Sequence, residues 1–344
     1  MPVAPAALPD WRRAFGGARS TARIRQSCAD FEVTERLSFE PDGDGEHDFL
    51  WIEKEGQNTP WVAGVLAKYA GINSSDVGYS GLKDRHAVTR QWFSVRRPGA
   101  EKADWSRFRA EGIRILKATR HGRKLKRGTH RANHFRIALR EVSAPADVVA
   151  VLERILEHGM PNYFGEQRFG HEGRNLSLAE RMFAGRRLPR NQRSIALSSA
   201  RSFLFNVVLE RRVVEQTWNT LMPGDCANLD GSGSVFPVHV VDDELLHRAA
   251  TLDLHPTGPL WGSGESQVSG TVASLEGSVI ACHPSLARGL VSQRVSCSRR
   301  ALRARVSELR WQQSHEHTLW LEFTLGRGVF ATSLLRELCH TPSS

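Results

Sequence analysis

No two cysteines of this chain stand in a CxxC spacing. The five, Cys28, Cys226, Cys282, Cys297 and Cys339, are far apart and odd in number. That pattern speaks against a disulfide framework and against a zinc site built on thiolates, and leaves buried or indifferent thiols. Long apolar runs are missing too, and none approaches the ~18 residues needed to span a bilayer. The stretch from Met1 to Asp10 lacks a basic segment followed by an apolar one. No signal peptide is therefore expected, and the expected compartment is the cytoplasm. Acidic residues are absent from Gly112 to Arg140, a stretch that carries ten Lys and Arg residues between Arg114 and Arg140. Like charges repel unless something anionic lies beside them. Two readings of this stretch are open: a solvated loop, or a phosphate-tracking surface whose affinity comes largely from counterion release.

What is present is an ordinary globular composition, 40% hydrophobic and 24% charged. Lys and Arg number 47 against 37 Asp and Glu, a formal net charge of +10. This balance suits a polyanionic partner, nucleic acid above all. A chain of 344 residues exceeds what one core usually serves, so two domains are expected.

Residues 46–53 read as a strand. A helix start follows, with Asn58 or Thr59 as cap, Pro60 in the first turn, and Val62, Val65, Leu66 and Tyr69 at helical spacing before Gly71. Gln91 to Val95 and His134 to Val142 read as strands. In the second, Phe135, Ile137 and Leu139 alternate with Arg136, Ala138 and Arg140. Ser143 to Gly159 and residues 198–215 read as helices. Residues 223–285, rich in Gly, Ser, Pro and Asp, read as irregular and loop-rich. Thr318 to Leu325 then alternates as a strand, and Phe330 to Leu338 reads as a short helix. A strand-and-helix pattern that stops and resumes implies a core of residues 1–160 and 304–344, interrupted by an inserted domain at 161–303.

The sharpest segment is Gly78 to Gln91, which includes Gly81-Leu82-Lys83-Asp84-Arg85-His86. Gly81 frees the backbone, and a loop on a rigid scaffold is a common way to present an acid such as Asp84. By itself this says only that a polar loop carries a candidate acid; on these local grounds an Asp that caps a turn beside Arg85 is the favoured reading.

Residues 81–91 (GLKDRHAVTRQ) resemble the signature of the pseudouridine synthase D family. The likeness extends, in family order, through Asp30 to Glu35 (DFEVTE), Gly45 to His47, Lys54 to Thr59 (KEGQNT), Pro161 to Gly170 (PNYFGEQRFG), Ser199 to Asn206 (SARSFLFN) and Gly328 to Glu337 (GVFATSLLRE), so it covers about Arg25 to Leu338. The resemblance implies an α+β fold: a pseudouridine synthase core with a mixed, largely antiparallel sheet and flanking helices, plus an inserted α/β domain special to the family. An RNA-binding cleft between the two is implied as well. The implied reaction isomerises uridine, uridine-13 of tRNA, to pseudouridine, with no metal and no cofactor.

Roles follow by position. Asp84 matches the catalytic carboxylate. Arg25 falls where the family carries a cation beside that acid, commonly Lys; a cation within ~4–6 Å favours an ionised carboxylate. Phe135 matches an aromatic that stacks on the target base, with core packing as its alternative. Asn133 lies on the same strand face and offers an amide to a uracil edge. Lys83 and Arg85 are expected to meet phosphates. Phe164, Gln167 and Arg168 are expected to shape the cleft, and His86 to be structural rather than a ligand. The C-terminal motif departs from the family in having Leu325-Gly326-Arg327 before Gly328, where Pro-Ala is usual. The expected partner is tRNA, with no membrane and no protein partner implied, and the expected state is a monomer.

Two rivals compete with this reading. A non-catalytic RNA-binding or tRNA-folding protein explains charge and aromatics, but not a carboxylate set inside a basic loop, where it weakens phosphate binding. A metal-dependent nuclease needs several clustered carboxylates, and none surround Asp84 in sequence.

Overall fold

The computed structural model describes residues 8–97, 103–315 and 317–341. They fall into two compact units. One contains Ser20–Pro145, Ser307–Gly328 and His340 onward; the other contains the residues up to Arg19, Ala146–Val306 and Val329–Cys339. The observed breaks at 145/146 and 306/307 stand beside the expected 160/161 and 303/304. The helix Pro145–His158 and the helix Ala331–Leu338 group with the 146–306 unit rather than with the sheet.

The first unit is built on one sheet of eight strands: β1 (Phe31–Leu37), β2 (His47–Glu55), β3 (Val77–Tyr79), β4 (Val88–Arg96), β5 (Ile113–His121), β6 (His130–Leu139), β7 (Val306–His315) and β8 (Thr318–Gly326). Their spatial order is β7-β8-β6-β1-β4-β2-β5, with β3 beside β4. Among the described residues, β1–β4 is a parallel pair, whereas β8–β6, β6–β1, β4–β2, β2–β5 and β3–β4 are antiparallel. The sheet is thus mixed and largely antiparallel.

Alternation along these strands gives the sheet two different faces. On one, Leu50, Ile52, Phe93 and Val95 are fully buried against helix α1 (Thr59–Ala70), which contributes Val62, Ala63, Leu66 and Ala67 from its i, i+3, i+4 stripe. Gly71, at φ 67°, stops α1 in the left-handed conformation.

The other face carries charge. Glu322, Arg136, Glu32, Arg90, Glu53 and Arg114 form an alternating ladder, with N–O separations of 3.5, 2.8, 3.2, 2.8 and 2.7 Å. Cross-strand partners are close enough for opposite charges to stabilise the pairing. The ladder changes the reading of residues 112–140. Arg114 and Arg136 belong to it, Arg120 pairs with Asp48 at 3.1 Å, and Arg140 pairs with buried Asp30 at 2.7 Å. For these four of the ten, the counter-charge comes from another strand or from the turn before β1, which local sequence does not show.

In the second unit, Val148, Leu152 and Ile155 are the buried stripe of Pro145–His158. The helix at 198–215 starts earlier than its sequence pattern suggests, running Arg190–Val214. The segment 223–285 is not irregular. It contributes Cys226–Leu229, Val235–Pro237 and Leu254–Leu260 to a four-stranded sheet completed by Ser298–Ala301, and it includes helices Asp243–Ala250 and Gly270–Ala281. Its strands are short and one contains Pro256, Gly258 and Pro259, so periodicity hides them. Gly258 is required by space, because a Cβ there would come within 2.7 Å of Leu302 and 3.2 Å of Phe205. Among the described residues no helix is long and apolar enough to cross a membrane.

Candidate active site

Asp84 sits in the loop between β3 and β4, half exposed. The loop rests on the segment Lys54 to Thr59, which runs from the end of β2 through the connecting turn into α1. Three consecutive loop residues are held there: Lys83 N–H donates to Thr59 Oγ1 at 3.0 Å, Lys54 Nζ donates to the Asp84 carbonyl at 2.8 Å, and Arg85 Nε donates to the Gly56 carbonyl at 3.1 Å. Gln91, buried at the start of β4, ties the same parts from below. Its Nε2 donates to the Gly81 carbonyl at 3.1 Å and its Oε1 accepts from Thr59 Oγ1 at 3.0 Å. Backbone groups that would otherwise be unsatisfied in a tight loop are thereby fixed by buried side chains.

The Asp84 carboxylate points to Arg25, whose Nη2 lies 3.1 Å from Oδ2. The side chains are 42% and 23% exposed respectively. Arg25 has φ 58°, a left-handed conformation costly for a side-chain-bearing residue. Its guanidinium lies 4.1 Å over the ring of buried Phe31. The pairing expected from sequence is thus realised in space, although 59 residues separate the partners.

Beneath the loop lies a buried carboxylate that sequence reasoning missed. Glu35 Oε2 pairs with Lys83 Nζ at 3.0 Å and accepts from Ser80 Oγ, while Oε1 accepts from Trp92 N–H at 3.1 Å. Lys83 was expected to meet phosphate. Instead its side chain is only 5% exposed and its ammonium is committed to Glu35, so it locks the loop. Arg85 is exposed, as is His86.

Phe135 is in the aromatic core. Its ring stacks on Phe323 at 5.2 Å and 18° and meets Phe31 edge-on at 6.3 Å. One ring face is therefore taken by protein, and Phe31 links Phe135 to Arg25. The register aligns Lys54, Thr89, Val33, Phe135 and Phe323 as neighbours across five adjacent strands on one face. Glu35 lies opposite Asn133 in the same manner. An extra residue in β6, Arg131, brings His130 opposite Leu37, onto the same face as Asn133. Asn133 Oδ1 and His130 Nδ1 are buried atoms without a hydrogen-bond partner among the described residues. Burial, reinforced by the Lys83 charge, pushes the His130 imidazole below its ordinary value. Burial also pushes the Lys54 ammonium down to about 8, against the opposing attraction of Asp84.

Phe164, Gln167 and Arg168 belong to the other unit. Buried Asn206 holds both backbone groups of Phe164, accepting from its N–H and donating to its carbonyl, each at 2.9 Å. Arg168 lies 5.2 Å from the Phe164 ring and 5.8 Å from that of Phe330, and donates to Ser198 Oγ at 3.0 Å. Burial lowers its proton affinity. Gln167 is exposed. Among the described residues no group of three or more His, Cys, Asp or Glu is placed to hold a metal ion.

The residues that sequence reasoning missed, Lys54, Glu35 and Phe31, all stood in segments it had singled out. Each sits at an inward position of its strand, which is the signal that would have found them.

A family model described as tRNA pseudouridine synthase D matches residues 15–183 and 178–338. A protein of Methylococcus capsulatus named tRNA pseudouridine synthase D is 46% identical over 96% of this chain and 94% of its own length. One of Chromohalobacter salexigens with the same name is 44% identical over 99% of each chain. Among solved structures, a chain from Methanosarcina mazei superposes with a TM-score of 0.74 over 98% of this chain and 97% of its own, at 19% identity, which demonstrates a shared fold.

Proposed function

This chain belongs to the tRNA pseudouridine synthase D family, and from that membership we propose that Asp84 is the carboxylate that carries its reaction. The protein is an isomerase that converts a uridine of tRNA to pseudouridine. Our reading of the target is uridine-13, and of the working form a monomer acting in the cytoplasm without metal or cofactor.

The reaction breaks the N1–C1′ bond, turns the uracil and joins C5 to C1′, with the C5 proton leaving and N1 gaining one. A uridine inside folded RNA must first be extruded, at a cost of a few kcal/mol. Asp84 then meets the ribose or base as an anion, by attack or by removal of the 2′ proton. Arg25 stands beside it and offsets its charge. The Phe31–Phe135 aromatic edge lies next to this pair and supplies apolar contact to the base. Asn133 Oδ1, without a partner among the described residues, suits the uracil N3–H donor.

Phosphate contacts fall to the exposed cations around the loop. Arg123, Lys126 and Arg131 are exposed and carry no salt bridge among the described residues, and Arg85 adds a fourth charge. The turn that bears Lys126 is tied to the loop by Gly128 N–H donating to the Ser80 carbonyl at 2.7 Å. Phe164, Gln167 and Arg168 are proposed as RNA contacts of the other unit.

The observation that carries this reading is the half-exposed Asp84 carboxylate paired with Arg25 on a loop bonded at three successive residues. The test is Asp84→Asn on unmodified tRNA, with pseudouridines labelled chemically and located by primer extension. Product at position 13 is expected from wild type and none from the variant, with tRNA affinity nearly unchanged. Activity retained by the variant defeats the assignment of Asp84. Tight tRNA binding without product from wild type favours a tRNA-folding protein.

A further inference from the structure

Lys54 is an unusual residue to bury. Its side chain lies on the inner face of β2, fully inaccessible, between Thr89 of β4 and Ile113 of β5. Strand positions of this kind are normally apolar, and a buried ammonium ordinarily demands an ion-pair partner. Among the described residues its hydrogen bonds go to two backbone carbonyls, those of Gln57 and Asp84, each at 2.8 Å. The acceptors sit in two separate segments, the β2–α1 turn and the loop that carries the acid. An ammonium has three protons, and two are used here.

Among the described residues, the charged and titratable groups around it are few. From the loop come Asp84 and Lys83, and from the short helical turn before β1 comes Cys28. The strands on either side contribute the uncharged Thr89 and Ile113. Of these groups, Asp84 attracts the ammonium, Lys83 repels it and Cys28 adds a lesser attraction. Asp84 thus stands in the field of two cations. Arg25 touches its carboxylate, and Lys54 grips its own backbone carbonyl.

Resting on the reading of Asp84 given above, we propose that Lys54 is a positioning residue for the reaction: it fixes the backbone of Asp84 and places a second positive charge behind its carboxylate. The two roles separate by protonation. A neutral amine still has two N–H groups for the two carbonyls, so loss of the third proton keeps the grip and removes the charge. Since burial brings the ammonium down to about 8, that loss falls within reach of ordinary assays.

The experiment measures steady-state kcat and KM on tRNA for wild type, Lys54→Gln and Lys54→Met, with thermal unfolding of each. Lys54→Gln keeps a donor and drops the charge; Lys54→Met drops both. The expectation is a fall in kcat of about 10-fold for Lys54→Gln and about 100-fold for Lys54→Met, since small misplacements of reacting groups have effects of this size. KM should stay within about twofold, because phosphate contacts dominate RNA affinity. Wild-type kcat should decline on an alkaline limb near pH 8, which Cys28→Ser should retain and Lys54→Gln should lack. Lowered thermal stability with unchanged kcat per folded molecule overturns the proposal, as does a wild-type profile flat from pH 7 to 9.5. Should neither Lys54 variant fold, the wild-type and Cys28→Ser profiles still decide. Full activity in Asp84→Asn would instead fell the underlying reading. Inactive Asp84→Asn beside fully active Lys54 variants fells this inference alone.

Discussion

Glu35 and Lys83 form a 3.0 Å ion pair in which the carboxylate side chain is fully inaccessible and the lysine nearly so. The pair sits directly beneath the loop that presents Asp84. Removing one partner of a buried pair leaves an uncompensated charge, which costs about 3–5 kcal/mol, whereas removing both is often close to neutral. Lys83→Met is therefore expected to lower stability by that order, and Glu35→Gln combined with Lys83→Met to recover much of it. Urea unfolding of the three proteins checks this. A stable Lys83→Met with weakened tRNA binding would return Lys83 to the phosphate role that sequence first suggested.

Arg25 couples strain to function. Its backbone occupies φ 58°, where glycine is comfortable and other residues are not. Arg25→Gly is expected to match or exceed wild type in thermal stability while losing the contact to Asp84. A hydrogen bond to a charged group contributes about 1.5–3 kcal/mol, so kcat should fall by one to two decades. Arg25→Lys keeps the charge but not the flat stack on Phe31, and should fall between the two. Equal kcat in all three proteins would remove Arg25 from the mechanism.

Phe135 packs before it does anything else. With its ring stacked on Phe323 and 7% exposed, Phe135→Ala should destabilise by about 3–5 kcal/mol. Phe135→Leu keeps most of the volume and should fold. If the free part of the ring meets the base, Phe135→Leu should lose about 1–3 kcal/mol of stacking, or roughly tenfold and more in kcat/KM. Kinetics identical to wild type would leave Phe135 a core residue only.

Glu337 predicts the pH dependence of stability in the other unit. Burial raises its carboxyl from 4.5 to about 7, against the attraction of Arg336, whose Nη1 lies 3.5 Å away. Oε2 accepts from Ala14 N–H at 2.9 Å. A raised folded-state value means that the folded form holds the proton more tightly. The associated stability is fully present below about 4.5 and is lost as pH rises toward 7. The slope within that window is at most ~1.4 kcal/mol per pH unit. Melting of wild type at pH 5 and pH 8 should show the decline, and Glu337→Gln should flatten it. A wild-type melting temperature that rises over this interval contradicts the account.

Much of the site was legible in the sequence because motif segments place chemistry locally. Asp84 was marked by a carboxylate among bases after a flexible glycine. Arg25, Asn133 and Phe135 came from the family resemblance, and alternation put the last two on one face of a strand. Position on a strand fixes which face a residue takes, so these readings needed no tertiary information beyond the period of two.

What only the folded chain decided was pairing. Lys83 and Arg85 flank the same acid, yet one is buried against Glu35 and the other exposed, because Glu35 arrives from β1, a strand 48 residues away in sequence. Arg114, Arg120, Arg136 and Arg140 of the basic run at 112–140 all meet carboxylates of other elements, two of them in a ladder that no local window contains. The strands within 223–285 escaped notice because short segments bearing proline and glycine take their order from neighbours rather than from their own periodicity. Sequence sets the chemistry each residue carries and the face it prefers. Long-range register sets which charges meet, because electrostatic energy depends on distance in space and not along the chain.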